Sequence, residues 1–219
     1  MPHDAHQRRQ LVDGQLRTAD VNDKALLAAI LETSRLPFVR EADKAFAYID
    51  RDLLVSPENA SERRFMLAPM TFGRMVQAAS VQPTDRVLDV GCGSGWSTAV
   101  LARMAADVMG LDNEAVIALA KPALSGLTNV HLVAGSLKDG VAAQAPFDVI
   151  IVEGAVEHEP TALLAQLADG GRLVAVHGKG QAGRITLWSR SGTERGSVAL
   201  LNAAAPLLAD FVAAPGFVF

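Results

Sequence analysis

The residues with the most chemical content lie in one short run, Val87-Leu88-Asp89-Val90-Gly91-Cys92-Gly93-Ser94-Gly95-Trp96. An apolar stretch runs into three glycines at alternate positions and then into a segment with helical spacing. Glycines at such a strand-to-helix turn let the backbone bend tightly and approach a ligand with no Cβ in the way. The helix that follows offers unpaired N–H groups to a polar ligand. Trp96 stands where the dinucleotide fingerprint G-x-G-x-x-G has its third glycine. A bulky residue there disfavours close approach of a pyrophosphate and favours a smaller ligand tail. The next apolar run ends at Asp112, 21 residues after Gly91. An acidic residue about 20 residues on is placed to accept hydrogen bonds from ribose hydroxyls. Together these residues point to a nucleoside-containing ligand.

The elements that must hold this turn follow from the rhythm of the chain. Strands are expected at 86–90, 107–111, 130–133, 147–152 and 172–176. Helices are expected at 96–104, from 114 to 120 or beyond, and at 161–167, the last closed by Gly170-Gly171. Short strands alternating with helices predict a parallel sheet covered on both faces. Residues 184–190 and 196–201 are separated only by a turn around Ser191-Gly192-Thr193, so they read as an antiparallel hairpin. The expected fold class is α/β, a Rossmann-like sheet with a C-terminal hairpin and an N-terminal helical extension.

In that extension, Asn22 or Asp23 caps a helix running to about Ser34, with Leu26, Leu27, Ile30 and Leu31 at helical spacing. A second helical piece is expected at 41–48 and a loop at 50–65. A helix follows Pro69 through Met70, Phe72, Met75, Val76 and Ala79. Residues 7–20 are polar, with Leu11, Val12 and Leu16 as scattered apolar positions. The chain is expected to form one domain, with 1–80 as helical extension and substrate-side segment and 81–219 as cofactor-binding core.

The 219 residues are half hydrophobic, ample for one large core, and carry 20 basic against 24 acidic side chains. This balance gives no electrostatic reason for a nucleic-acid partner. The polar N-terminus lacks the apolar region of a signal peptide, and no apolar run is long enough to cross a membrane. One cysteine, Cys92, cannot form an internal disulfide and suits a reducing, cytoplasmic setting. It reads as a small residue filling the turn. Of the five histidines only His158 has carboxylate neighbours, Glu157 and Glu159. Adjacent positions make poor metal spacing, so no metal is expected.

Asp89-Val90-Gly91-Cys92-Gly93-Ser94-Gly95 resembles the first motif of class I S-adenosylmethionine-dependent methyltransferases. Trp96-Ser97-Thr98-Ala99 continues it in the manner of the protein-L-isoaspartate O-methyltransferase family. Gln15-Leu16-Arg17, Pro37-Phe38-Val39, Tyr48-Ile49-Asp50-Arg51, Met66-Leu67-Ala68-Pro69 and Gly170-Gly171-Arg172-Leu173 extend the likeness over roughly residues 8–212. The resemblance implies S-adenosyl-L-methionine as cofactor, S-adenosyl-L-homocysteine as product and a protein or peptide partner carrying the acceptor carboxylate, an abnormal aspartyl residue. Its implied cofactor-binding residues include Asp89, Gly91, Cys92, Gly93, Ser94, Gly95, Asn113 and Leu137, of which Gly91, Gly93 and Ser94 would line the methionine part. Asp112 would hold the ribose, and Ser136 would stand near the adenine. Glu153, at the tip of the fourth core strand, would face cofactor and substrate. Leu67, Ala68 and Pro69 fall on the substrate side.

Two departures bear on the acceptor. Leu67 stands where the family places a serine or threonine, and residues 50–69 run longer, with Glu62-Arg63-Arg64 in place of glycines. A different acceptor, or a cofactor-binding relative without catalysis, is therefore the alternative. Arg63 and Arg64 read as a solvated charge cluster, with a carboxylate clamp as the second reading.

Overall fold

The computed structural model describes residues 2–58 and 60–213. Asn59, within the expected loop, lies outside the described residues. The chain begins with helix α1 (Pro2–Leu11), which passes through one π-helical turn to Leu16. Leu11, Val12 and Leu16 are buried on one side of it. A polar sequence thus hides an apolar stripe, and the helical extension begins already at Pro2. Helix α2 (Lys24–Glu32) is capped by Asp23, whose side chain accepts from the Leu26 amide. Residues Glu41–Phe46 form 3₁₀ turns. Two short strands, β1 (Leu53–Leu54) and β2 (Phe65–Met66), pair antiparallel inside the expected loop. Helix α3 (Pro69–Ala79) follows with proline at its first turn.

The core then alternates as the sequence predicts: β3 (Arg86–Val90), α4 (Trp96–Leu101), β4 (Asp107–Asp112), α5 (Glu114–Leu124), β5 (Val130–Ala134), β6 (Phe147–Val156), α6 (Thr161–Leu164) and β7 (Leu167–His177). The hairpin is β8 (Arg184–Ser191) with β9 (Glu194–Asn202). The seven-stranded sheet has the order β5-β4-β3-β6-β7-β8-β9. Its first five strands are parallel, and β8 and β9 are antiparallel. Side chains alternate between two apolar clusters, as a period of two requires. Val87, Val149 and Val174 face the N-terminal helices and α3, while Leu88, Ile150 and Leu173 face Leu163, Leu164 and Phe211.

Several boundaries are corrected: α4 ends at Leu101 rather than 104, and β6 runs on to Val156, which places Glu153 inside the strand rather than at its tip. The helix expected at 161–167 ends at Leu164, and Gly170-Gly171 lies inside β7 rather than closing the helix. Leu167 pairs with Phe147, and the register then slips so that Val149 faces Arg172. Gly170 has φ +75° in this bulge. A Cβ on Gly171 would sit 2.9 Å from the Ala168 carbonyl oxygen, so here the glycine relieves a crowded strand.

Candidate cofactor and substrate site

Strand β3 is the switch point of the sheet, with β4 on one side and β6 on the other. In open α/β sheets the crevice outside the carboxyl ends at such a point is where ligands bind. The glycine turn fills the exit of β3. Gly91, Gly93 and Gly95 take φ of +79°, +56° and +94°, conformations that side chains resist. The Gly91 amide donates to the Leu111 carbonyl at 2.8 Å, tying the turn to the end of β4.

Asp112 closes β4 and is fully buried. Its Oδ2 accepts from the Gly93 amide at 3.1 Å, and its Oδ1 accepts from the Asn113 amide at 2.8 Å and from Arg64 Nε at 2.8 Å. Burial pushes this carboxyl up from its ordinary value, and the Arg64 charge opposes the shift. Arg64 is itself only 3% exposed at its side chain, and its Nη2 donates to Glu62 at 2.8 Å. The reading of Arg64 as solvated is thereby corrected: the hairpin of β1 and β2 folds it back onto the strand end. The Val55 amide donates to the Arg64 carbonyl at 2.9 Å, closing the loop. Val55 lies over the turn, 3.1 Å from where a Cβ on Gly93 would stand.

The other residues of the motif divide by task. Asp89 Oδ2 accepts from Ser97 at 2.8 Å and Thr98 at 2.7 Å, which anchors α4 to β3. Its Oδ1 is buried without a protein partner. Burial raises the Asp89 carboxyl to about 6. Ser94 donates to the Phe38 carbonyl at 2.5 Å, so its hydroxyl fixes the N-terminal extension to the turn. A Cβ on Gly95 would meet Leu124 at 2.6 Å, which marks Gly95 as the contact between α4 and α5. Cys92 is buried, and burial pushes its thiol well up, consistent with a filler. Asn113 caps α5 by accepting from the Val116 amide at 3.1 Å. Ser136 is exposed, whereas Leu137 is buried with its amide donating to Asp210 Oδ2 at 2.8 Å.

Glu153 lies on β6 beside the turn, its Cβ 3.8 Å from where a Cβ on Gly91 would be. It is 6% exposed, and its Oε1 has no protein partner. Burial, together with the Asp89 charge, raises its carboxyl well above the usual range, and Arg35 opposes the rise. Arg35 is fully buried, its guanidinium 4.3 Å from the centre of the Trp96 ring, and Nη2 donates to the Leu67 carbonyl at 3.3 Å. Burial lowers it to about 10, so it stays charged at neutral pH. Leu67 is buried, the Ala68 amide donates to Asp52 at 2.8 Å, and Pro69 opens α3. The substrate-side residues therefore meet Arg35, which sequence reasoning missed because a lone arginine after a helix carries no pattern.

A second omission is the segment 206–211. Its backbone continues beside β6, with the Ala155 amide donating to the Pro206 carbonyl at 2.8 Å and the Leu208 amide to the Ala155 carbonyl at 3.1 Å. Leu208 packs 3.8 Å from a Cβ built on Gly91. Thus Arg64 covers the Asp112 side and Leu208 with Asp210 covers the Leu137 side.

A sheet of this order, with a glycine turn leaving its central strand and a buried aspartate ending the neighbouring one, is the class I S-adenosylmethionine-dependent methyltransferase fold. Within that class the chain belongs to the protein-L-isoaspartate(D-aspartate) O-methyltransferase family, whose model matches residues 6–202. It is 38% identical over 170 residues to a protein-L-isoaspartate O-methyltransferase of Koribacter versatilis, covering 76% of this chain and 74% of that one. A Roseiflexus relative of the same name is 36% identical over 191 residues, with 86% and 85% covered. A solved protein-L-isoaspartate O-methyltransferase superposes with a TM-score of 0.80 at 22% identity, over 91% of this chain and 65% of that one. A Plasmodium falciparum structure described under the same name, in complex with S-adenosyl-L-homocysteine, gives 0.76 at 18% identity, over 93% and 98%. The chain is thus an enzyme of a methyltransferase family whose cofactor is S-adenosylmethionine.

Proposed function

We propose that this chain transfers a methyl group from S-adenosylmethionine to the carboxylate of an isoaspartyl residue in a protein or peptide. The observation that carries the reading is the turn and Asp112 held together: Gly93 donates to the same buried carboxylate that ends β4. The residues present fit the cofactor. The positive-φ glycines leave the turn bare of side chains, Asp112 is an acceptor for hydroxyl donors, and the unpartnered buried oxygens of Asp89 and Glu153 can accept from an ammonium group. When bound, the cofactor supplies a sulfonium methyl for in-line displacement.

The chain's own work is alignment and exclusion of water. A carboxylate nucleophile is already ionised at neutral pH, so no general base is required. Opposite charges cancel as the methyl moves, and a dry, ordered site favours that step. Val55 and Leu208 are buried and supply apolar walls near the turn. Family membership supports a protein acceptor, and a carboxylate there would enter among Asp89, Asp112 and Glu153, where cations are needed to offset them. No helix among the described residues is long and apolar enough to cross a membrane.

The test is incubation with methyl-labelled S-adenosylmethionine and an isoaspartyl peptide. Base-labile label on that peptide, and none on its normal aspartyl counterpart, is expected. Label on neither peptide would sink the acceptor assignment.

A further inference from the structure

A carboxylate offers about four lone-pair sites, and Asp112 already fills three, with Arg64, Asn113 and Gly93. A ribose diol held at Asp112 brings two hydroxyl donors to the one site that remains. The Gly93 and Asn113 amides are fixed by the turn and by the start of α5, whereas Arg64 rides on a loop. Arg64 is the partner free to give way when both hydroxyls of the diol are held there. The loop has room for this: a cleft of about 350 Å³ separates it from the start of α5, lined by Pro57, Glu62, Asn113 and Val116 among others.

A displaced arginine needs another anion. Glu62 stays with it, since both lie on the same loop, but the Nε edge that faced Asp112 is set free. The reaction brings two carboxylates to this crevice: the cofactor's own, which belongs with the methionine part at the glycine turn, and the acceptor's, which belongs on the side of Leu67 and Pro69. Arg35 and Arg64 are both buried cations of this region, and how each is anchored decides between them. Arg35 is locked at 0% exposure between Trp96 and the Leu67 carbonyl. Arg64 lies one residue before β2, the strand that leads to Leu67 and Pro69, and can move with its hairpin loop.

We infer that Arg64 is a cofactor-gated specificity residue: its pairing with Asp112 gives way to the ribose, and the freed guanidinium takes the acceptor carboxylate. The inference rests on the proposed function and deepens it. Filling of the cofactor site arms acceptor recognition, so acceptor binding follows cofactor binding.

The experiment compares wild type, Arg64→Gln and Arg64→Lys in calorimetric titrations with S-adenosyl-L-homocysteine and in KM measurements with an isoaspartyl peptide. Circular dichroism first confirms that each variant is folded. Loss of a charged hydrogen bond that competes with the ligand is expected to tighten cofactor binding about tenfold in Arg64→Gln. The same change is expected to raise KM for the peptide about tenfold with kcat little altered. Arg64→Lys keeps the charge without the fork and falls between the two. A structural arginine would weaken both ligands together. Weaker or unchanged cofactor binding in Arg64→Gln overturns the gate, and unchanged peptide KM overturns the clamp. If wild type and both variants all fail to bind cofactor, the proposed function itself falls and takes the inference with it.

Discussion

Arg64 Nε lies 2.8 Å from Asp112 Oδ1, and both side chains are almost wholly withdrawn from solvent. An ion pair this deeply buried contributes little over an apolar pair, but removing one partner strands the other. Arg64→Ala, which strands the Asp112 carboxylate at the fixed end of β4, should therefore lower unfolding stability by about 3 to 5 kcal/mol. Urea denaturation monitored by tryptophan fluorescence measures this. A loss under about 1 kcal/mol would place the pair in a solvent-screened setting and contradict the burial.

Gly93 combines a φ of +56° with a Cβ position 3.1 Å from Val55. Gly93→Val should strain the turn, push Val55 outward and set a side chain against the cofactor. We expect cofactor binding to be lost in a protein that still folds, read by calorimetry beside circular dichroism. Unchanged affinity would remove this turn from the site.

Asp89 gives a pH dependence whose sign is opposite to that of an ordinary salt-bridged carboxylate. Burial raises its folded value from 3.8 to about 6. Below about pH 4 both states hold the proton, and the group costs nothing. Between about 4 and 6 the folded state binds a proton that the unfolded state has released, so stability falls as pH rises. Above about 6 the full cost of burying the charge is present. Asp89→Asn keeps an acceptor for Ser97 and Thr98 and should be more stable than wild type at pH 7 by more than about 1 kcal/mol. The difference should shrink toward pH 4. A difference that grows on acidification would reverse the assignment.

Ser80 ends α3 with φ +49° and ψ +53°, a left-handed conformation that glycine adopts freely. Its hydroxyl makes only an exposed contact to the Gln77 carbonyl at 3.3 Å. Ser80→Gly should raise the melting temperature slightly, through a gain of about 0.5 to 1 kcal/mol. A lower melting temperature would mean that the hydroxyl contributes more than the backbone strain costs.

The parallel core was legible because its signals are local. Val87, Val90, Val149 and Val152 announce strands, and glycines at fixed offsets announce the turn. What escaped depends on contacts far apart in sequence. Leu167 reads as the end of a helix until Phe147 captures it in the sheet. Leu11, Val12 and Leu16 look scattered until the π-helical turn brings them to one side. At the site, Gly93 and Asp112 were placed together by spacing alone. Arg64 was visible only as a charge on a polar loop, because the β1–β2 hairpin that buries it spans strands of two residues each. Leu208 and Asp210 follow the last regular strand, where neither period nor motif marks a segment that folds back over the site.

The most direct test is calorimetric titration of the wild-type protein with S-adenosylmethionine, repeated on Asp112→Asn. Saturable one-to-one binding to wild type, weakened in the variant, is the result predicted for a cofactor site built from the glycine turn and Asp112. No binding heat, together with no ligand-induced rise in melting temperature, would contradict it.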